Sequence, residues 1–367
     1  MSSKTFYKNL LRPDIADMAS YTPIVPFDVL SQRLNKSPED IIKLDANENP
    51  YGPSRRVYEA LANESYYHIY PDPDSTSLRH ALSEYTGIDA SHIVAGHGAD
   101  ELIDLIIRLF IDPGDAVINC PPTFGMYRFD TELNGGKIID IARKANFSLD
   151  TESVVELANK NSNVKIIFLT SPNNPDGSML DDACLRQLLQ LPVIVVLDEA
   201  YIEFSGTERS RVDWVLAHEN LIVLRTFSKW AGLAGLRVGY GAFPHWVLSH
   251  LLKIKQPYNV NVAGTAAALA SLTDVDQLRE NVEKIVEERG RLYQALGEFD
   301  FLEPYPSEAN FILARVVEKD AAALKGTLAE RGILIRYFNT PGLRDHIRIS
   351  VGTPSQTAVL LKVLSTL

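Results

Sequence analysis

One lysine and one aspartate, each at the end of an apolar run, are the groups in this sequence best placed for chemistry on a bound molecule. Lys229 stands just past LIVLR in LRTFSKWAGLAGLRVGYG, and Gly232, Gly235 and Gly239 after it let the backbone approach a ligand closely. An amine in such a place can hold an aldehyde as a Schiff base. Asp198 ends the apolar run of VIVVLDEAY with Tyr201 three residues on, so both can face one ligand from the C-terminal edge of a sheet. An unpaired carboxylate there would be costly to bury. In GHGADE, between strand-like HIVA and a helical pattern, the amides near Ala99 and Asp100 lie where a helix dipole favours phosphate. Each feature alone has a plainer explanation. DEAY can cap a helix, and lysines after strands are common at surfaces. Their order argues against coincidence, because SPNNPDG, DEAY and SKWAGLAGLRVG follow three successive strand-like runs.

Groups like these need a rigid frame. From about residue 90 to 265 short apolar runs alternate with helical patterns, as βα units of a mostly parallel sheet do. Strands are expected at AVIN (116–119), IIDI (138–141), KIIFLT (165–170), VIVVL (193–197) and LIVLR (221–225), rich in Ile and Val without alternation because helices cover both faces. After GHGADE a helix carries Leu102, Ile106 and Leu109 on one stripe, with Asp104 and Arg108 spaced for an i,i+4 pair. Past residue 265 the texture changes. An amphipathic helix is expected from about Gln277 to Leu296, with Leu278, Val282, Ile285, Val286, Tyr293 and Leu296 on its apolar face. Strand-like ANFILAR, GILIRYF and HIRISVG and a closing helix follow. The expectation is an α/β protein with a large domain over 46–265. A smaller α+β domain takes 266–367 together with a proline-containing arm, residues 1–45.

The chain has 367 residues, 46% hydrophobic and 23% charged, the balance of a soluble globular protein. Its net charge of -11 repels nucleic acid. Cys120 and Cys184, with no CxxC and no metal-ligand spacing, suggest neither a disulfide framework nor a metal site. The apolar runs are strand-sized and fall short of the ~18 residues that argue a membrane span. The N-terminal residues lack an apolar signal core and include Asp14 and Asp17, so a cytoplasmic location is expected, with an organellar form lacking its targeting segment left open.

An amine for an aldehyde, a carboxylate for a pyridine nitrogen, donors for a phenolic oxygen, a ring stacker and a phosphate cradle are what pyridoxal 5′-phosphate (PLP) requires of a protein. The chain resembles the fold-type I PLP-dependent aminotransferases, and among them the histidinol-phosphate aminotransferases. The resemblance runs nearly end to end through LDANENPYGP, HIYPDP, GHGADELIDLI, CPPTFGMY, SPNNPDG, DEAYIEF, LRTFSKWAGLAGLRVGYG, KIKQPYNVN and HIRISVGT. It implies a large domain whose mostly parallel seven-stranded sheet is sandwiched by helices. It also implies that Lys229 holds PLP as a Schiff base, that Asp198 pairs with the pyridinium nitrogen, and that Asn174 and Tyr201 donate to the 3′ oxygen. Lys229, Asp198 and Tyr201 would be the catalytic groups. Thr226, Ser228 and Arg237 would complete the phosphate cradle begun by Ala99 and Asp100, and Tyr70 would reach it across a homodimer interface. Arg348, Arg336, Tyr21 and Asn47 would bind substrate.

Phe124 in PPTFGMY would stack on the pyridine ring, where relatives often carry Tyr; the alternative is a core phenylalanine. Two positions depart from the family or vary in it: Asp176 stands where Thr is more usual, and His97 is expected to be a solvated loop residue. The implied reaction is reversible conversion of histidinol phosphate and 2-oxoglutarate to imidazole acetol phosphate and glutamate, a step of L-histidine biosynthesis. An aromatic amino acid aminotransferase, or a PLP-dependent decarboxylase of a phosphorylated amino acid, would use a closely similar site. A nicotinamide dehydrogenase would not, since Glu101 occupies the third glycine position of GxGxxG. A PLP-domain transcription regulator would need a DNA-binding domain for which the N-terminal arm has no room.

Overall fold

Twelve strands form two sheets in the computed structural model, which describes residues 7, 8, 10–16, 18 and 27–367. In chain order they are β1 (Ile42–Leu44), β2 (Ile93–Gly96), β3 (Ala116–Asn119), β4 (Lys137–Asp140), β5 (Val164–Thr170), β6 (Ile194–Asp198), β7 (Leu221–Thr226), β8 (Gly239–Ala242), β9 (Leu302–Pro304), β10 (Phe311–Val316), β11 (Ile333–Tyr337) and β12 (His346–Ser350). Strands β2 to β8 make a seven-stranded sheet in the order β2-β8-β7-β6-β5-β3-β4. Only β8 runs antiparallel to its neighbours.

Alternation along the central strands feeds two separate cores. Ile167, Val195, Leu197 and Val223 point to one side, while Ile166, Phe168, Val196 and Leu224 point to the other. Both faces are therefore apolar, and the strands read as continuous Ile/Val runs. The helix Ala99–Phe110 lies on the second face with Leu102, Ile103 and Ile106 fully buried, and its Asp104 and Arg108 pair at 2.8 Å. Leu109 is only partly buried, so the stripe centres on Ile103 and Ile106 rather than on Leu109.

The expected strands of this sheet appear within a residue of their sequence positions, but β8 was not foreseen. GYGA has two glycines in four residues, a composition that argues against a strand. The glycines are there for space. A Cβ on Gly239 would lie 2.5 Å from the Ala99 nitrogen, and one on Gly241 would lie 2.6 Å from the Phe243 ring. Strand β8 thus brings the backbone of the helix start within touching distance of the sheet.

The second sheet has the order β1-β11-β12-β10-β9. Here β1, which precedes the whole large sheet in sequence, pairs in parallel with β11 through Ile42↔Ile333 to Leu44↔Ile335. Neither β1 nor β9 is evident in the sequence, each being three residues long. The helix Val275–Leu296 buries Leu278, Val282, Ile285 and Leu296 as its periodicity predicts, and adds Leu292. Val286 and Tyr293 are only partly buried at its edge. Among the described residues no helix is long and apolar enough to cross a membrane, and no group of His, Cys, Asp and Glu is arranged to hold a metal ion.

Candidate active site

Parallel strands carry their C-terminal ends to one edge of a sheet, so Thr170, Asp198 and Thr226 at the ends of β5, β6 and β7 meet there. They line a cavity of about 130 Å³ with Lys229, Tyr201, Asn174 and Phe124, and with Ala99, Asp100, Ser228 and Arg237. Ten of the residues singled out in the sequence, from five separate stretches of chain, share this one space. Two larger cavities, of about 620 and 540 Å³, lie around the buried Arg225–Glu203 pair and share no lining residue with the small one. The small cavity holds the amine, the carboxylate and the glycine-flanked helix start together, and chemistry requires that combination more than it requires volume.

Asp198 is 3% exposed, and burial pushes its carboxyl up to about 6. Two donors oppose that push. The Tyr127 hydroxyl donates to Oδ2 at 2.7 Å and the Ala200 amide donates to Oδ1 at 3.0 Å. Lys229 Nζ donates to the Ala46 carbonyl at 3.3 Å. Burial first, and then the charge of Arg348, depress its ammonium to about 8, so roughly a tenth of the amine is neutral at pH 7, far more than for an ordinary lysine. An amine of that kind can attack a carbonyl or carry a proton.

The opposite end of the cavity is built for an anion. Helix Ala99–Phe110 starts at Gly98, with φ of 79° and no side-chain cap, so the N–H groups of its first turn are left for another acceptor. The positive φ of Gly98 is a conformation that side-chain-bearing residues rarely adopt, and a Cβ there would also stand 2.6 Å from Arg237 Nη2. Arg237 itself holds a left-handed backbone conformation, φ 54°, and its guanidinium pairs with the Asp100 carboxylate at 2.8 Å. Thr226 Oγ1 donates to Ser228 Oγ at 3.0 Å. Open amides, two hydroxyls and a guanidinium form a phosphate-binding donor set, and the Asp198 carboxylate lines the same space. The residues present therefore fit PLP.

The small sheet touches the cavity wall through Arg348, which bonds the lining residue Asn174. Arg348 donates through Nη1 to Asn174 Oδ1 at 2.5 Å and through Nη2 to the Asp45 carbonyl at 2.8 Å. The Tyr201 hydroxyl accepts from Asn47 Nδ2 at 3.1 Å and from Asn174 Nδ2 at 3.4 Å. Asn47, expected at the substrate, is 1% exposed and is tied to Ser350 as well. Arg336 does not line the cavity; it faces Arg348 directly across β11 and β12 and lies over Phe338 at 5.7 Å. Tyr70 is outside the cavity too, 80% exposed and stacked on Tyr258 at 4.7 Å. Tyr21 lies outside the described residues. His97 is an exposed loop residue, and Asp176 is buried, accepting from Asn173 Nδ2 and from the Ser178 amide at 3.0 Å to hold the SPNNPDG turn. Sequence reasoning missed Tyr127 and Thr170. The only available signal was their spacing, three residues after Phe124 and at the last position of a strand.

A PLP-dependent aminotransferase of fold type I is the class that this sheet edge, lysine and carboxylate define. The model of the family "Aminotransferase class I and II" matches residues 39–364. Over 355 residues the chain is 54% identical to the chloroplastic histidinol-phosphate aminotransferase of Nicotiana tabacum, spanning 96% of this chain and 86% of that one. It is 53% identical over 363 residues to the histidinol-phosphate aminotransferase of Roseiflexus castenholzii, 97% of each. The crystal structure of histidinol-phosphate aminotransferase from Sinorhizobium meliloti, in complex with pyridoxal-5′-phosphate, superposes with a TM-score of 0.87 at 27% identity, covering 97% of this chain and 98% of that one. The chain belongs to the histidinol-phosphate aminotransferase family within the class I and II aminotransferases. Its cofactor is PLP.

Proposed function

We propose that this chain exchanges an amino group between histidinol phosphate and 2-oxoglutarate, reversibly, in the synthesis of L-histidine. The observation that carries the proposal is a lysine amine in the cavity depressed in part by the charge of Arg348, which comes from the other sheet and bonds Asn174 of the cavity wall. Bound PLP supplies an electron-accepting ring that allows a C–H bond beside the substrate nitrogen to ionise. Lys229 Nζ holds the cofactor at rest and, once displaced by substrate, carries the proton released at the substrate carbon. Asp198, kept as a carboxylate, holds a proton on the ring nitrogen. Tyr201 and Asn174 donate to the 3′ oxygen, and Phe124 covers one ring face. The amides of Ala99 and Asp100, with Thr226, Ser228 and Arg237, bind the phosphate.

Histidinol phosphate brings a phosphate where glutamate brings carboxylates, so one site must accept different anions in turn. A guanidinium fork suits both. Arg348 and Arg336 would supply it, with Asn47 and Tyr21 completing the substrate shell. Tyr70 would act from a partner subunit of a homodimer, which its exposure and the neighbouring exposed Tyr66, Tyr67 and Ile69 support. A division into a large domain, 46–265, and a small one, 1–45 with 266–367, is supported by the β1–β11 pairing. The two unpaired cysteines accord with a reducing compartment such as the cytoplasm.

A half-reaction tests the proposal. Holoenzyme mixed with histidinol phosphate alone should release one equivalent of imidazole acetol phosphate per site, and 2-oxoglutarate added next should come back as glutamate. Failure to release the keto product overturns it.

A further inference from the structure

The hydrogen bond from Tyr127 to the candidate nitrogen partner lies outside every role assigned above. Tyr127 is in the first turn of helix Met126–Leu133 and fully buried. Its ring stacks on Phe168 at 4.6 Å with 6° between planes, and meets Phe124 edge-on at 5.6 Å. Its hydroxyl reaches Asp198 Oδ2 at 2.7 Å and Thr170 Oγ1 at 2.8 Å. We infer that Tyr127 is a positioning residue that fixes the Asp198 carboxylate and keeps it ionised, with Thr170 orienting the phenol. The inference rests on Asp198 being the partner of the ring nitrogen.

A phenol has one hydrogen to give, and an ionised carboxylate can only accept. If Tyr127 donates to Asp198, Thr170 must donate to the phenol oxygen, and the register puts Thr170 directly opposite Asp198 between β5 and β6. The Ala200 amide already holds Oδ1, so each carboxylate oxygen has one protein donor and acceptor capacity left for a third. Burial favours a neutral carboxyl, and donors favour the charged one. The charged groups that act on Asp198 across the cavity are Lys229 and Asp100, and they oppose each other. Burial also drives the Tyr127 phenol far above its ordinary value, so it stays a donor at any working pH. A carboxylate that receives such a bond is a weaker base. The proton between it and a ring nitrogen then stays on the nitrogen, where it is needed. Were Tyr127 only a core aromatic, its ring would matter and its hydroxyl would not.

Tyr127→Phe separates these, because it keeps the ring contacts with Phe168 and Phe124. Holoenzyme reconstituted with PLP labelled with ¹⁵N in the ring would be titrated, the nitrogen's chemical shift giving its protonation, for the parent, Tyr127→Phe, Thr170→Val and Asp198→Asn. In Tyr127→Phe the deprotonation midpoint should fall by about one pH unit and kcat by roughly tenfold, the size of one hydrogen bond to a charged group. KM for the amino donor should change little. Thr170→Val should move the midpoint the same way by less, and it carries the test alone should Tyr127→Phe fail to fold. If Asp198→Asn moves the midpoint and neither Tyr127→Phe nor Thr170→Val does, this inference is wrong and the role of Asp198 stands. If Asp198→Asn leaves it unmoved, both are wrong.

Discussion

Two side chains in the cavity titrate well away from their ordinary values, and each shift leads to a measurement. On the proposed reading Asp198 is worth most as a charge, because from its buried position it would hold a proton on the cofactor ring. Asp198→Asn keeps the shape and removes the charge, and turnover should fall by roughly a thousandfold, about 4 kcal/mol of barrier. A loss below about tenfold, in steady-state kinetics with saturating cofactor, would mean that ring protonation does not depend on this residue. For Lys229 the sign follows from its amine. Only the neutral form attacks an aldehyde, and its ammonium titrates at about 8 because of burial and Arg348. The rate at which apoprotein captures PLP, followed by absorbance, should rise with pH up to about 8 and level above it. A rise continuing unabated toward the ordinary lysine range would contradict the depressed value. Lys229 and Asp198 were readable in sequence because each follows a strand whose apolar run is unmistakable. Tyr127 was not, since a buried aromatic that donates one hydrogen bond has the same sequence signature as one that merely packs.

Among the elements, the pairing of β11 with β12 sets two like charges opposite each other, Arg336 against Arg348. Such a cross-strand pair is unfavourable until an anion lies between or beside the two guanidinium groups. Arg336→Ala should therefore cost about 2 kcal/mol in kcat/KM with imidazole acetol phosphate, as when a charged partner is lost from a partly buried pair. With phenylpyruvate, which has no phosphate, it should cost far less, and an equal loss on both substrates would remove Arg336 from phosphate recognition. The register that creates this opposition was invisible in GILIRYF and HIRISVG, although both strands were evident. Alternation gives a strand and its faces, but which residue stands opposite which is decided by a partner elsewhere in the chain. Strand β8 shows the same limit differently. Its glycines contradict strand propensity because Gly239 lies against the Ala99 amide, a contact that only the folded sheet brings about.

At the scale of the molecule, the cavity is lined from the large sheet's edge, Arg348 of the other sheet bonds Asn174 in its wall, and Tyr70 stands away from it on an exposed aromatic surface. If Tyr70 completes a neighbouring subunit's phosphate cradle, mixing inactive Lys229→Ala chains with inactive Tyr70→Ala chains should restore activity, because one site in each mixed dimer is intact. Verified heterodimers without activity would show that each site is built from one chain. Substrate choice belongs to this scale too, since it needs the cofactor end and the two arginines to act on one molecule. The most direct measurement is kcat/KM with glutamate as donor for imidazole acetol phosphate against phenylpyruvate, on the unmodified enzyme. Imidazole acetol phosphate should be preferred, because on the proposed reading Arg348 and Arg336 would meet its phosphate and nothing in phenylpyruvate replaces that group. A preference for phenylpyruvate would contradict the role in histidine synthesis and make the chain an aromatic amino acid aminotransferase.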